Sequence, residues 1–270
     1  MILSDIEQSI KNKIEAIGTP LKNWDIQINY GIKTGYNDAF VITTEKRDEI
    51  LASCADDAER ERTTELIRPI LRGRDIKRYC YDWSGLWLIN THNGVKEKYP
   101  PVNIEDYPTI KQYLDLYWDK ISSREDQGVT PYNLRNCAYM DDFNKPKIVW
   151  IELSDEAKFT ICENLIPLNT VFFITGEKIY NILGMLNAKI TKWYFTHCLG
   201  TTSGVGTNRW LKYTIEQLPL IYDLSEDFEK LIKSMLSNPT KELEARIDNT
   251  LYHAYNLSDA EIAFVESLTQ

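Results

Sequence analysis

Histidine is scarce in this chain, and cysteine is scattered. Three histidines and five cysteines (Cys54, Cys80, Cys137, Cys162, Cys198), with no Cys-x-x-Cys pair among them, support neither a zinc site nor a disulfide framework. No metal ligand set and no cofactor is expected. No apolar run approaches the length of a bilayer span, and the first residues lack a signal-peptide pattern, so a reduced, cytoplasmic protein with no membrane role is expected. Low-complexity and repeated segments are absent too.

Catalytic signatures are missing as well. An amino-methyltransferase needs an Asp/Asn/Ser-Pro-Pro-Tyr/Phe turn to hold the amine of a flipped base. The one Pro-Pro here, in Tyr99-Pro100-Pro101-Val102, is wrong on both sides, and Asn238-Pro239-Thr240 does not replace it. The glycine-rich Gly200–Trp210 stretch is followed by no Gly-Lys-Ser/Thr, which excludes a nucleotide-binding P-loop. Three scattered histidines give no Ser-His-Asp or Cys-His arrangement. Asp142 with Glu156-x-Lys158 loosely imitates a metal nuclease constellation, a spacing that arises readily in a chain with 26% charged residues. No catalytic residue is therefore assigned.

What is present is an uneven distribution of charge. The net charge is −9, yet Arg68 to Tyr79 carries Arg68, Arg72, Arg74, Lys77 and Arg78 against the single acid Asp75. From Lys178 to Tyr213 there are five bases and no acid, whereas from Asp223 onward ten acids face four bases. Local fields decide what such a chain binds, and net acidity does not exclude nucleic acid. Pro69 and Gly73 interrupt the basic block, which predicts a short helix ending near Leu71, a turn at Gly73 and a strand from Ile76. Arginines presented by a loop match phosphate oxygens and the acceptor edge of guanine. They also have local acids to pair with, at Glu59, Glu61, Glu65 and Asp75.

Ser4-x-x-Glu7 is a capping box that opens an amphipathic helix with Ile6, Ile10, Ile14 and Ile17 on one face. Trp24 to Tyr30 alternates as a half-buried strand, and a loop with Gly31 and Gly35 leads to a strand from Phe40 to Thr43. Lys33, Thr34 and Asn37 project from that loop, as turn residues or as contacts to bases. Residues 45–66 read as charged helix. Ile76–Tyr81 and Leu86–Asn90 read as a hairpin turned at Trp83-Ser84-Gly85. A polar loop with His92 and Asn93 follows, then a helix from Pro108 and a loop that supplies Arg124, Tyr132 and Arg135. Strands near 147–153, 159–162 and 170–175 precede two apolar helices near 177–186 and 188–197. The acid-free loop then offers Thr207, Asn208, Arg209 and Lys212 to a nucleic acid backbone. Capped helices make the acidic tail.

The segments YGIKTGYNDAF, RPILRGRDIKRY, GLWLINTHNG, TPYNLRNCAYM, KPKIVW, LNAKI and RWLKYTIEQLP, in this order, resemble the TaqI-like C-terminal specificity domain. That module is the target-recognition part of adenine-specific DNA methyltransferases and type IIG restriction-modification enzymes. The similarity runs from about Trp24 to Ile221, and HAYNLSDAEI resembles the helical ends of such proteins and of type I specificity subunits. The resemblance implies an α+β fold: a mixed, twisted sheet with packed helices and a helical C-terminal tail. It divides the chain into an N-terminal helix and linker (1–23), a recognition domain (24–221) and the tail (222–270). It also implies sequence-specific recognition of double-stranded DNA, directing a methyltransferase and nuclease carried elsewhere, as a separate subunit or as a fragment of a longer enzyme. The alternatives are a docking subunit for a methyltransferase partner that binds DNA weakly alone, or a metal-dependent nuclease. The residues expected at DNA are Lys33, Thr34, Asn37, Arg72, Arg74, Lys77, Asn93, Arg124, Arg135, Thr207, Asn208, Arg209 and Lys212.

Overall fold

The computed structural model describes residues 3–154, 156–199, 202–203 and 207–268, without the side chains of 202, 203, 207 and 208. In chain order the principal elements are α1 (Asp5–Ile17), β1 (Ile26–Tyr30), β2 (Val41–Thr43), α2 (Thr44–Ala52), α3 (Asp57–Leu66), β3 (Ile67–Leu71), β4 (Leu86–Ile89), α4 (Pro108–Asp115), β5 (Lys147–Ile151), β6 (Thr160–Cys162), β7 (Ile166–Pro167) and β8 (Val171–Gly176). Helices α5 (Ile179–Asn187), α6 (Lys189–Tyr194), α7 (Glu226–Ser237), α8 (Lys241–Ala254) and α9 (Asp259–Leu268) complete them. The fold is α+β. One four-stranded sheet has the order β1-β8-β5-β6, and a second has the order β7-β3-β4-β2. Among the described residues no helix is long and apolar enough to cross a membrane.

The first sheet divides two hydrophobic cores. Side chains alternate between the faces of a strand, so neighbours on β5 and β8 feed opposite sides. Ile148, Trp150 and Ile174 join Ile28 in a core shared with α1, α5, α6 and all three tail helices. Val149, Val171 and Phe173 point the other way, into a core with β3, β4, α4 and the loops around Leu134 and Phe143. Glu261 locks the two ends of the chain together, accepting from Lys13 Nζ at 2.7 Å and Ser9 Oγ at 2.7 Å.

Three local expectations are corrected. The basic block does not open in a helix: α3 stops at Leu66, and Ile67–Leu71 is a strand paired with β4 and, in parallel, with β7. Pro69 disfavours helical backbone at Arg68, and Ile67, Ile70 and Leu71 are all buried. The expected hairpin does not form either. Ile76–Lys77 pairs with Cys80–Tyr81 across a turn in which Tyr79 takes φ 62, while β4 joins β2 and β3. Buried Tyr79 donates its backbone N–H to the Phe159 carbonyl at 3.0 Å, which pins that turn to the strand beside it. Finally, residues 45–66 form two helices, the second started by Asp56, whose side chain accepts from Glu59 N at 2.7 Å.

Candidate nucleic-acid interface

At one end of the first sheet, β1 runs out at Tyr30, β5 continues into Glu152 and Leu153, and β8 begins just after Thr170. The turn that follows β3 lies across this end. A Cβ on Gly73 would sit 2.6 Å from Ile151 Cγ2, so only glycine lets the turn come this close. Between turn and sheet end is an open cleft of ≈ 640 Å³, walled by Tyr30, Phe172 and Leu153 and edged by Lys33, Arg74 and Glu152. Lys33 Nζ lies 5.5 Å from the centre of the Tyr30 ring. Arg74 is exposed and has no hydrogen-bond or ion-pair partner among the described residues. Arg209 pairs with Glu152, with Nε at 3.2 Å and Nη2 also in contact, and its backbone bridges Leu153. Lys33 and Arg74 therefore meet at one aromatic-walled cleft, and Arg209 reaches its edge through Glu152.

The other cations of this region are held within the protein. Arg72 forks onto Asp75, both contacts at 2.8 Å, and Ser84 Oγ adds a third at 3.1 Å. Burial alone would push the Asp75 carboxyl up, but the Arg72 fork and the Ser84 hydroxyl outweigh it and hold it below the usual range. Exposed Lys77 pairs with exposed Asp82. Lys212 donates to the Ile28 carbonyl at 2.9 Å and lies 3.6 Å from Glu216.

A second cluster continues from the same loop. Thr34 is buried, and its hydroxyl donates to Asn37 Oδ1 at 2.6 Å, so this pair is turn chemistry first; exposed Asn37 keeps an amide nitrogen without a partner among the described residues. Gly35, at φ +72, lets Asp126 and Arg124 pack against the loop; a Cβ there would fall 2.9 Å from Asp126 Cβ. Arg124 is the clear departure from expectation. It is 7% exposed and donates to the carbonyls of Asp126 (2.6 Å), Pro131 (2.9 Å), Asn133 (2.6 Å) and Thr34. It also lies 4.4 Å from the Phe40 ring, and burial pushes its guanidinium down to about 10. A side chain held this way organises two loops and is closed to a base edge. Arg135 pairs with Asp126 at 2.9 Å and is half-exposed. Asn93 accepts from Val129 N at 2.7 Å and donates to Asn136, so it too staples loops.

Of the expected contact residues, then, Lys33 and Arg74 line the cleft, and Arg209 pairs with Glu152 at its edge. Thr34, Asn37, Asn93, Arg124 and Arg135 share the neighbouring loop cluster. Arg72, Lys77 and Lys212 are paired nearby or within the fold. The side chains of Thr207 and Asn208 lie outside the described residues, as does most of the Gly200–Trp210 loop. The sequence reading missed Tyr30, Phe172 and Leu153 as cleft walls; the signal was their place at strand ends, where alternation stops burying them. The loose nuclease constellation is not assembled. Asp142 pairs with Lys145 beside the second core, whereas Glu156 lines a cleft against α6 and α8 on the first.

The family described as the TaqI-like C-terminal specificity domain matches residues 68–220, more than half of the chain. The crystal structure of the type IIG restriction endonuclease BpuSI superimposes with a TM-score of 0.60 at 13% identity, over 98% of this chain and 32% of that one. The chain thus spans about a third of that enzyme's length, and the likeness is one of fold. With the basic turn, three of the four strands of the sheet beside it (β5, β6 and β8) and the loop that carries Arg124 inside the matched segment, this chain belongs to the TaqI-like C-terminal specificity domain family.

Proposed function

We propose that the chain is the sequence-specific, double-stranded DNA recognition module of a restriction-modification system. It directs an adenine-specific methyltransferase, and a nuclease, whose catalytic groups lie elsewhere, as in a type IIG arrangement. One observation carries this reading. In a chain of net charge −9, Lys33 and Arg74 stand without acidic partners among the described residues, on the rim of an open, aromatic-walled cleft. Unpaired cations beside exposed aromatic faces match a phosphate backbone and the groove next to it. Lys33 and Arg74 serve as phosphate contacts. Asn37, through its amide nitrogen, and Arg209 and Arg135, once released from their acids, are the candidates for base edges. Arg124 is withdrawn from that role and becomes the side chain that shapes the loop.

The test is duplex affinity measured across a salt series. Each phosphate contact removed lowers the slope of log affinity against log salt by about 0.9. Lys33→Ala and Arg74→Ala together are expected to flatten it by about 2 and to weaken binding to every sequence alike, with the melting curve unchanged. An unaltered slope in the double variant removes the cleft from the interface.

A further inference from the structure

The cleft at the sheet end carries one group that a surface built only to hold a polyanion would lack. Glu152 is the one acid among its described lining residues, in company with Lys33 and Arg74. A carboxylate there repels phosphate and weakens binding to every duplex alike. Its place at this edge calls for a role other than affinity.

Local structure holds Glu152 in a fixed position. It follows β5 directly, and its backbone carbonyl accepts the Trp210 N–H at 2.7 Å. Trp210 is 1% exposed and gives its indole N–H to the Ser154 carbonyl at 3.3 Å, while the Trp150 indole donates to the Trp210 carbonyl at 2.9 Å. These bonds fasten Arg209 and Trp210 along the end of β5. Arg209 then restrains the Glu152 side chain, but both of its contacts fall on Oε1. Oε2 has no partner among the described residues, and the side chain is 30% exposed. Whether Arg209 stays on Oε1 or turns to a base of its own, Oε2 remains an open acceptor at the cleft.

An ionised carboxylate accepts hydrogen bonds and donates none. In the major groove, cytosine offers the N4 amino group and adenine the N6 amino group, whereas guanine and thymine present oxygen acceptors at the same place. Oxygen facing oxygen is repulsive, so a group that takes an amino hydrogen also rejects the other two bases. We propose that Glu152 is a specificity-determining residue, with Oε2 accepting from the exocyclic amino group of one cytosine or adenine in the major groove. The inference rests on the DNA-recognition reading of the cleft and adds to it a base contact beside the phosphate contacts of Lys33 and Arg74.

The experiment enriches duplexes from a randomised pool with the full chain and with its Glu152→Gln, Glu152→Ala and Arg209→Ala variants, and sequences what each retains. The parent is expected to enrich one motif. Glu152→Gln keeps the side chain's shape, but its amide donates as well as accepts, so it is expected to enrich the same motif with guanine or thymine admitted at one base. Duplexes then carry, at that base, an analogue without the amino group: 2-pyrimidinone for cytosine, or purine for adenine. The parent is expected to bind the analogue about tenfold more weakly than the natural duplex, within the range for one base pair. Glu152→Ala is expected to bind the two alike, and to hold non-matching duplexes at least as tightly as the parent, since a negative charge has left the face. Arg209→Ala is expected to keep the parent's preference at this base. A purely structural Glu152 would instead weaken all duplexes together. The inference is overturned if both Glu152 variants enrich the parent's motif unchanged, or if Arg209→Ala removes the very preference that Glu152→Ala removes. Should the parent enrich no motif, the DNA-recognition reading falls, and this inference with it.

Discussion

Two arginines fifty positions apart show how one residue type divides into two roles in this molecule. Arg74 extends from a turn that closes on its own backbone, with the Asp75 N–H on the Arg72 carbonyl at 3.1 Å, and its fork meets no carbonyl and no acid among the described residues. Arg124 lies where two loops close on each other, and four carbonyl oxygens converge on its fork. Five guanidinium donors can satisfy backbone groups that irregular loops cannot pair among themselves. Whether a cation faces outward thus depends less on its own exposure in sequence than on how many orphan carbonyls the surrounding loops leave. Arg72 stands between the two cases: a single buried acid, Asp75, takes its whole fork.

The largest consequence is for Arg124→Ala. It takes the guanidinium away from four carbonyls, of which, among the described residues, only that of Asn133 keeps another donor, the Gly128 N–H, and removes the contact over Phe40, which is expected to lower stability by about 3 kcal/mol. A shift in the urea midpoint measures it. The salt slope of DNA binding, taken below the unfolding transition, is expected to stay at its parent value. A stable variant with a flattened slope would place Arg124 with Arg74 and erase the distinction.

Lys13 is another cation held inside the fold, and its partner makes the holding visible through pH. Burial would raise the Glu261 carboxyl, but Lys13, the Ser258 backbone and the Ser9 hydroxyl outweigh it and bring it to about 2, against an ordinary 4.5. The folded pKa lies below the unfolded one, so this contribution is complete above about pH 4.5 and disappears as pH falls towards 2. A loss of about 2 kcal/mol over that window is expected in pH-dependent melts. Glu261→Gln should already show the lower stability at neutral pH and a flatter acid limb. A variant with an acid limb as steep as the parent's would mean that Lys13 is as free as Lys33.

How much of this could be read from the sequence follows the same division. Local rules placed α1 through its Ser4 box, β1 through alternation and α4 through Pro108. The basic turn at Gly73 and the strand at Ile76 were also legible, since glycine and proline act on their immediate neighbours. Pro69 with Gly73 is taken only to break the basic block, leaving a short helix to Leu71, although the effect of proline on the preceding residue already favours a strand. The rest depends on distant partners. Tyr30 became a cleft wall because β1 pairs with β8, which sets it opposite Phe172. Arg124 was taken from solvent by Thr34, ninety positions away. Neither contact leaves a periodic mark, because loops that close around a side chain have no repeat. The Thr34–Asn37 pair was weighed as both turn and contact, and its hydrogen bond shows that the turn comes first.

The comparison is sharpened most finely by turning one held cation into a free one. Arg135 and Asp126 are both half-exposed, and their 2.9 Å pair lies in the loop cluster that adjoins the cleft through Lys33 and Thr34. Exposed pairs of this kind add little to stability, so Asp126→Asn, which keeps the side chain's shape, should melt with the parent protein. The Asp126 carbonyl that serves Arg124 belongs to the backbone and is untouched by the change. What changes is the charge that restrains Arg135. If this loop faces the duplex, the released guanidinium adds a phosphate contact and the salt slope steepens by about 0.9, with tighter binding at low salt. If the slope stays at the parent value while Lys33→Ala and Arg74→Ala flatten it, the duplex touches the cleft and not the loop cluster. The two regions would then differ in what they bind as well as in how their cations are held.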